Sequence, residues 1–289
     1  MIAGSSQTLL VDEPEAFLHP AQARRLGRFV RDAAAERDRQ VIVATHDRDF
    51  LLGLLEGKGG DLNVVRVSRH DEVNHFRQLA ADDISEIWAD PVLRYSNLLQ
   101  GLFHRAMVIC EGDSDCRFYS AVLDQLGVDG AKQAQTDDVL FVPSGGKSRS
   151  GTMAKAMSSA GVEAHVIVDF DIFKSRAEVR AFAVSTGFDW SDKMESDYVT
   201  FADAANGRSL WGQLKRQGLV AVPSGGPHIA CNNLLEALKA RRIHVVPVGE
   251  MEGFDRSIPT KAGTWVSDML SKNAHQTCDL ARAFVSGLI

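Results

Sequence analysis

Cysteine is scarce and scattered in this chain: Cys110, Cys116, Cys231 and Cys278 show no CxxC spacing. That argues against a zinc site or a disulfide framework and for free thiols in a reducing compartment. No run of about 20 apolar residues is present, so no spanning helix is expected. The opening residues 1–7, MIAGSSQ, have neither the basic nor the apolar region of a signal peptide. A cytoplasmic protein with no membrane partner is the expectation. Positive charge is also short: 32 Lys and Arg against 38 Asp and Glu give a net charge of −6. Nucleic-acid contact, if any, must then come from local patches. Finally, no GxxxxGK[ST] loop occurs. Gly146-Lys147-Ser148 ends like one, but Phe141 stands where its first glycine belongs.

What is present is a chain of 289 residues, 45% hydrophobic and 24% charged, with room for two domains of about 150 residues each. Thr8–Val11 is an apolar strand, residues 21–37 carry helical spacing, and Val41–Ala44 is a second strand of buried type. Strand, helix, strand is the grammar of a parallel sheet. A further strand is expected over 62–67, then a connector with helical pieces from about 71 to 104. A second α/β unit follows, with strands at 106–110, 139–142, 165–168 and 243–248. Helices are expected at 118–126, 152–160 and 231–240, and a polar helical stretch over 175–217.

Two constellations carry chemistry. In the first, Asp12 and Glu13 close one strand and His46 closes its neighbour. Acidic residues at the C-terminal edge of a parallel sheet face the ligand crevice. Asp12 suits a Mg²⁺ position, Glu13 the orientation of a water, and His46 the sensing of a γ-phosphate. Leu9–Glu15 together with Ala44–Asp47 resembles the Walker B and switch-histidine pair of ABC-type ATPases. With no P-loop and no room for a signature motif before Leu9, that ATPase is incomplete. The chain is expected to be the C-terminal portion of a longer protein, using ATP only with the missing part.

In the second, Glu111 ends one strand while Asp169 and Asp171 end another. Alternate strand residues share a face, so the two aspartates are expected to point together and Phe170 away. Gly112 permits a tight turn, and Asp113 or Ser114 can cap the next helix. Converging carboxylates repel unless cations neutralise them. Oxygen-only ligands select Mg²⁺ or Mn²⁺, and two such ions can activate a water at a phosphodiester. Ser144 and Lys147 sit on a Gly-rich loop that suits either phosphate contact or a plain turn.

Val108–Asp115 followed by Val166–Asp171 resembles the Toprim domain of topoisomerases, primases and certain nucleases. Joined to an ABC-type ATPase end, it is similar to the OLD (overcoming lysogenization defect) nuclease family, and Val246–Phe254 resembles that family's later acidic motif. The resemblance implies a Rossmann-like parallel sheet with a helical insertion, after a fragment of an ATPase. The implied limits are 1–75 for the ATPase end, 76–104 for a helical connector and 105–174 for the first part of Toprim. The insertion would span 175–222, the second part of Toprim 223–258 and a helical tail 259–289.

By position, the resemblance assigns Glu111 and Asp115 to one side of a metal site and Asp169 and Asp171 to the other. Glu250 or Glu252 would complete it, and Lys261 would stabilise charge in the transition state. It further implies a Mg²⁺- or Mn²⁺-dependent DNA endonuclease of phage defence or DNA repair, a homo-oligomer through its ATPase, and a possible helicase partner. Local basic clusters at Lys147 and Arg149, at Lys174, Arg176 and Arg180, at Lys215-Arg216 and at Arg241-Arg242 would meet the DNA backbone. Two alternatives stay open: an ATP-gated DNA clamp with a non-catalytic Toprim, and a topoisomerase- or primase-like enzyme. The topoisomerase would need one of Tyr95, Tyr119 and Tyr198 as its nucleophile.

Overall fold

The computed structural model describes residues 7–56, 62–79, 89–91, 97–130, 138–259 and 264–288. The chain divides into two compact units, residues 1–82 and 83–289.

In the first unit, β1 (Thr8–Asp12) and β2 (Gln40–Ala44) pair in parallel, with Asp12 beside Ala44. They are joined through α1 (Pro20–Glu36), and α2 (Arg48–Glu56) follows. Ala23, Val30, Phe50 and Leu54 form the core, against which Val41 and Val43 pack. The strands are not buried on both faces as expected. Leu10 and Ile42, paired side by side, are 73% and 52% exposed, because the helices cover one side of the sheet only. The expected strand over 62–67 is β3 (Val64–His70), which turns back antiparallel into β4 (Val73–Leu79). A helical connector was expected there, and its limit at 75/76 falls inside β4. The turn residue Asp71 takes a left-handed φ of 52°.

The second unit is a mixed α/β, Rossmann-like body. Its sheet has the order β6-β5-β7-β8, all parallel: β5 (Ala106–Cys110), β6 (Val139–Pro143), β7 (Glu163–Val168) and β8 (Ile243–Val245). Both central strands are apolar throughout apart from Glu163 and His165, as burial on two faces requires. Val108 and Cys110 join α3 (Asp113–Val128) in one core. On the opposite face, Met107 meets Met157 of α4 (Lys147–Ser159) around Gly101. β8 is shorter than expected. Val246 N–H still bonds the Val168 carbonyl at 2.9 Å, and Pro247 then removes the next donor.

Between β7 and β8 comes the expected helical insertion: α5 (Arg176–Ser185), α6 (Asp192–Gly207) and α7 (Trp211–Gln217), leading into α8 (Gly226–Lys239). Its core grows from Phe170 and Phe173, whose rings lie 5.3 Å apart. Phe173 meets Phe201 at 5.7 Å, and Phe201 meets Trp211 at 5.8 Å. The tail, α9 (Trp265–Ser271) and α10 (Asp279–Ser286), belongs to the main core. Trp265 sits edge-on to Phe118 at 5.1 Å, and Phe284 packs 5.6 Å from Phe254. No helix among the described residues is long and apolar enough to cross a membrane.

Candidate active site

Every strand of the parallel sheet delivers its C-terminal end to one edge, and the predicted carboxylates gather there. Glu111 follows β5 and is exposed. Gly112 turns the chain into α3, and its N–H donates to Asp115 Oδ2 at 3.1 Å. The cap is therefore made by Asp115 reaching back. Asp113, expected as a capping residue, instead pairs with Arg117 at 2.7 Å. Burial raises the Asp115 carboxyl to about 6, with the charges of Glu111 and Glu252 adding to it and the Gly112 N–H opposing it.

Asp169 stands directly after β7, and Asp171 is the second residue of a short 3₁₀ helix, Phe170–Lys174. The expectation of two alternate residues on one strand face is corrected, since the strand ends at Val168. Both aspartates still reach the site, because the tight turn rolls Phe170 into the insertion core. Burial and the charges of Asp115, Glu111 and Asp171 push Asp169 up to about 8, with Lys147 pulling the other way. Asp171 forms an ion pair with Lys147, the first residue of α4.

Glu250 and Glu252 come from the loop after β8, which is tied to β7 through Phe170 N–H to the Gly249 carbonyl at 2.8 Å. Glu252 lies within electrostatic reach of Asp115, and Glu250 within reach of Glu252 and Asp171. Burial and Glu252 raise the Glu250 carboxyl, against Lys215, whose ammonium stands 3.9 Å away. No sequence motif marks how Lys215 arrives there. Gly218 (φ 58°) and Gly249 (φ 107°) pass backbone to backbone. A Cβ on Gly218 would meet the Pro247 oxygen at 2.1 Å, and one on Gly249 the Lys215 oxygen at 2.3 Å. The end of α7 is thereby pressed against the acidic loop, with Leu219 N–H bonding the Pro247 carbonyl at 2.8 Å.

Of the loop residues, Ser144 is fully buried, and its hydroxyl contacts Ser150 Oγ at 2.8 Å and Gly146 N at 3.3 Å. It shapes the turn, and it is Lys147 that faces the carboxylates. Lys261 lies outside the described residues. The other basic clusters are largely engaged: Arg149 with Asp90 at 3.0 Å, Arg176 with Glu195 at 2.5 Å, Arg242 with Glu163 at 4.0 Å.

The donor set is all oxygen, which suits a hard divalent cation, and such a cation would offset the burial and the like charges that lift Asp169. As placed, no three His, Cys, Asp or Glu among the described residues close on one point, and the Lys147 ammonium lies against Asp171.

In the first unit, Asp12 and Glu13 stand at the β1 edge. Glu13, at φ 42°, places a carboxylate oxygen 2.9 Å from His46 Nδ1, so the two matched motifs meet. Glu15, buried at 5%, accepts a hydrogen bond from the Thr45 hydroxyl. Thr45 Oγ1 also receives the Asp47 N–H at 3.0 Å, and Asp47 caps α2 through Phe50 N–H at 2.6 Å. The Glu15–Thr45 link was not foreseen, although both residues lie within the motifs.

Residues 2–53 match the family described as AAA domain, putative AbiEii toxin, Type IV TA system. Residues 102–171 match the family described as overcoming lysogenization defect protein-like, TOPRIM domain. No curated protein matches the chain.

Proposed function

From the OLD-family arrangement of this chain, an AAA-type ATPase segment followed by an OLD-like Toprim domain, we propose a Mg²⁺- or Mn²⁺-dependent DNA endonuclease. The observation that supports this most is the gathering of Glu111, Asp115, Asp169, Asp171, Glu250 and Glu252 at one edge of a parallel sheet. Bound there, one or two divalent cations would supply an activated water and a counter-charge for the leaving oxygen. Glu111, Asp115 and Glu252 would hold one side of that charge, and Asp169, Asp171 and Glu250 the other. Lys261 is proposed to offset negative charge as it develops.

Lys215 and Arg216, pressed against the acidic loop by the two glycines, would bind the DNA backbone beside the cleaved bond. Asp12, Glu13 and His46 would serve nucleotide hydrolysis in the complete ATPase. That ATPase would control cleavage and mediate self-association, in phage defence or DNA repair and with a possible helicase partner. A covalent tyrosine mechanism is disfavoured, because Tyr119 is fully buried and Tyr198 is 5% exposed with its hydroxyl bonded to the Phe173 carbonyl. Tyr95 lies outside the described residues.

The test is incubation of the purified chain with supercoiled plasmid and Mg²⁺ or Mn²⁺, beside Asp169→Ala and an EDTA control. Nicked or linear DNA lost in both controls is the expected result. Cleavage that survives either control would refute the reading. No cleavage by this chain, with ATP-dependent retention on DNA, would favour the clamp.

A further inference from the structure

We propose that Lys147 is the resident counter-ion of the carboxylate cluster: its ammonium holds Asp171 until divalent cations bind, and is then displaced onto the DNA phosphate at the site. This rests on the nuclease reading above.

The backbone around Lys147 is fixed to the strand that carries Glu111. Ser144 N–H bonds the Cys110 carbonyl at 2.9 Å, and Gly145 N–H bonds the Glu111 carbonyl at 3.2 Å. The buried Ser144 and Ser150 hydroxyls, 2.8 Å apart, brace the loop from within. Gly146, at φ 137°, makes a bend that side chains disfavour. Lys147 is therefore launched from one place, the first residue of α4. Only its four-carbon stem is free to move. In the structure that stem carries the ammonium to Asp171, within the fields of Glu111 and Asp169.

An ammonium and a divalent cation cannot share one carboxylate without repulsion. In this proposal metal binding at Asp171 displaces the lysine, whose ammonium otherwise stands against that carboxylate. Lys147 and Asp171 are each nearly 30% exposed, at 29% and 28%, so the displaced ammonium has an open mouth to swing into. A phosphate drawn to the bound cations would meet it there. Lysine suits this task, being a point charge with three rotatable donors on a flexible stem. No bond to Lys147 forms or breaks.

The experiment compares the whole chain with Lys147→Gln and Lys147→Arg. Mn²⁺ affinity is read without DNA, from the electron paramagnetic resonance signal of the free ion, and plasmid nicking is read separately at saturating Mn²⁺. Lys147→Gln is expected to bind Mn²⁺ at least about fivefold more tightly yet to nick at least about 100-fold more slowly. Lys147→Arg, which keeps the charge, should stay near wild type in affinity. Unchanged or weaker Mn²⁺ binding by Lys147→Gln overturns the proposal, and so does unchanged nicking. A wild-type chain that binds no Mn²⁺ would sink the nuclease reading as well. One that binds and nicks normally while Lys147→Gln changes neither would sink the Lys147 proposal alone.

Discussion

His165 and His244 show at the residue scale what burial does to a titrating group. They lie on neighbouring strands, 4% and 6% exposed, with His165 Nδ1 and His244 Nε2 3.0 Å apart. Burial lowers His165 to about 4, although Glu163, 3.4 Å from its other nitrogen, opposes this; Arg242 and Arg105 add to the lowering. Burial, then His165 and Lys239, lowers His244 to about 3. The unfolded chain takes up protons near pH 6.5 while the folded one does not. The pair's stability is therefore complete above about 6.5 and is lost as pH falls towards 4 and 3. Imidazole NMR spectra at pH 6 should show both rings neutral; a ring titrating near 6.5 would contradict this.

Residue identity was also the most legible level. Glu111, Asp169, Asp171, Asp12, Glu13 and His46 were readable because each follows an apolar run at a sheet edge. The reason given for Asp169 and Asp171 sharing a site was wrong, since the chain has already left the strand. Lys215 was readable as part of a basic cluster, but its pairing with Glu250 was not, because it forms only through the tertiary contact of two glycines.

At the scale of elements, the Gly218–Gly249 crossing ties the insertion to the acidic loop. Gly249→Ala combines a left-handed φ with a backbone clash and should destabilise the chain by about 2–4 kcal/mol in urea unfolding. Gly225→Ala makes a fair comparison. Its φ is 88° but nothing stands within 4 Å of the added methyl, so only the conformational cost of about 1–2 kcal/mol applies. Equal losses would mean that the crossing contributes nothing. The same crossing positions Lys215 and Arg216, so replacing both by alanine should weaken DNA binding. The slope of log affinity against log salt should become shallower by about 2, and an unchanged slope would remove them from the interface.

Elements with a strong period were readable, among them β1, α1, β5 and β7. β4 was not, because Asn74, Arg77 and Gln78 break its apolar alternation. Its turn, Asp71-Glu72, also lacks the glycine that usually announces a hairpin. α4 starts five residues before the expected helix at 152, because the Gly145-Gly146 turn, read as loop, already launches it.

For the whole molecule, a net charge of −6 and a cluster of carboxylates at one edge mean that the proposed cation site is kept at a cost in stability. Asp169→Asn removes a carboxyl whose ionisation burial and its acidic neighbours oppose, while keeping its shape. Melting of the metal-free chain should rise by roughly 2–4 °C. The most direct measurement sets that melting temperature beside the plasmid-nicking rate of the same variant at saturating Mn²⁺. The account predicts a more stable chain that nicks at least about 100-fold more slowly than wild type. A variant that nicks at the wild-type rate would contradict it.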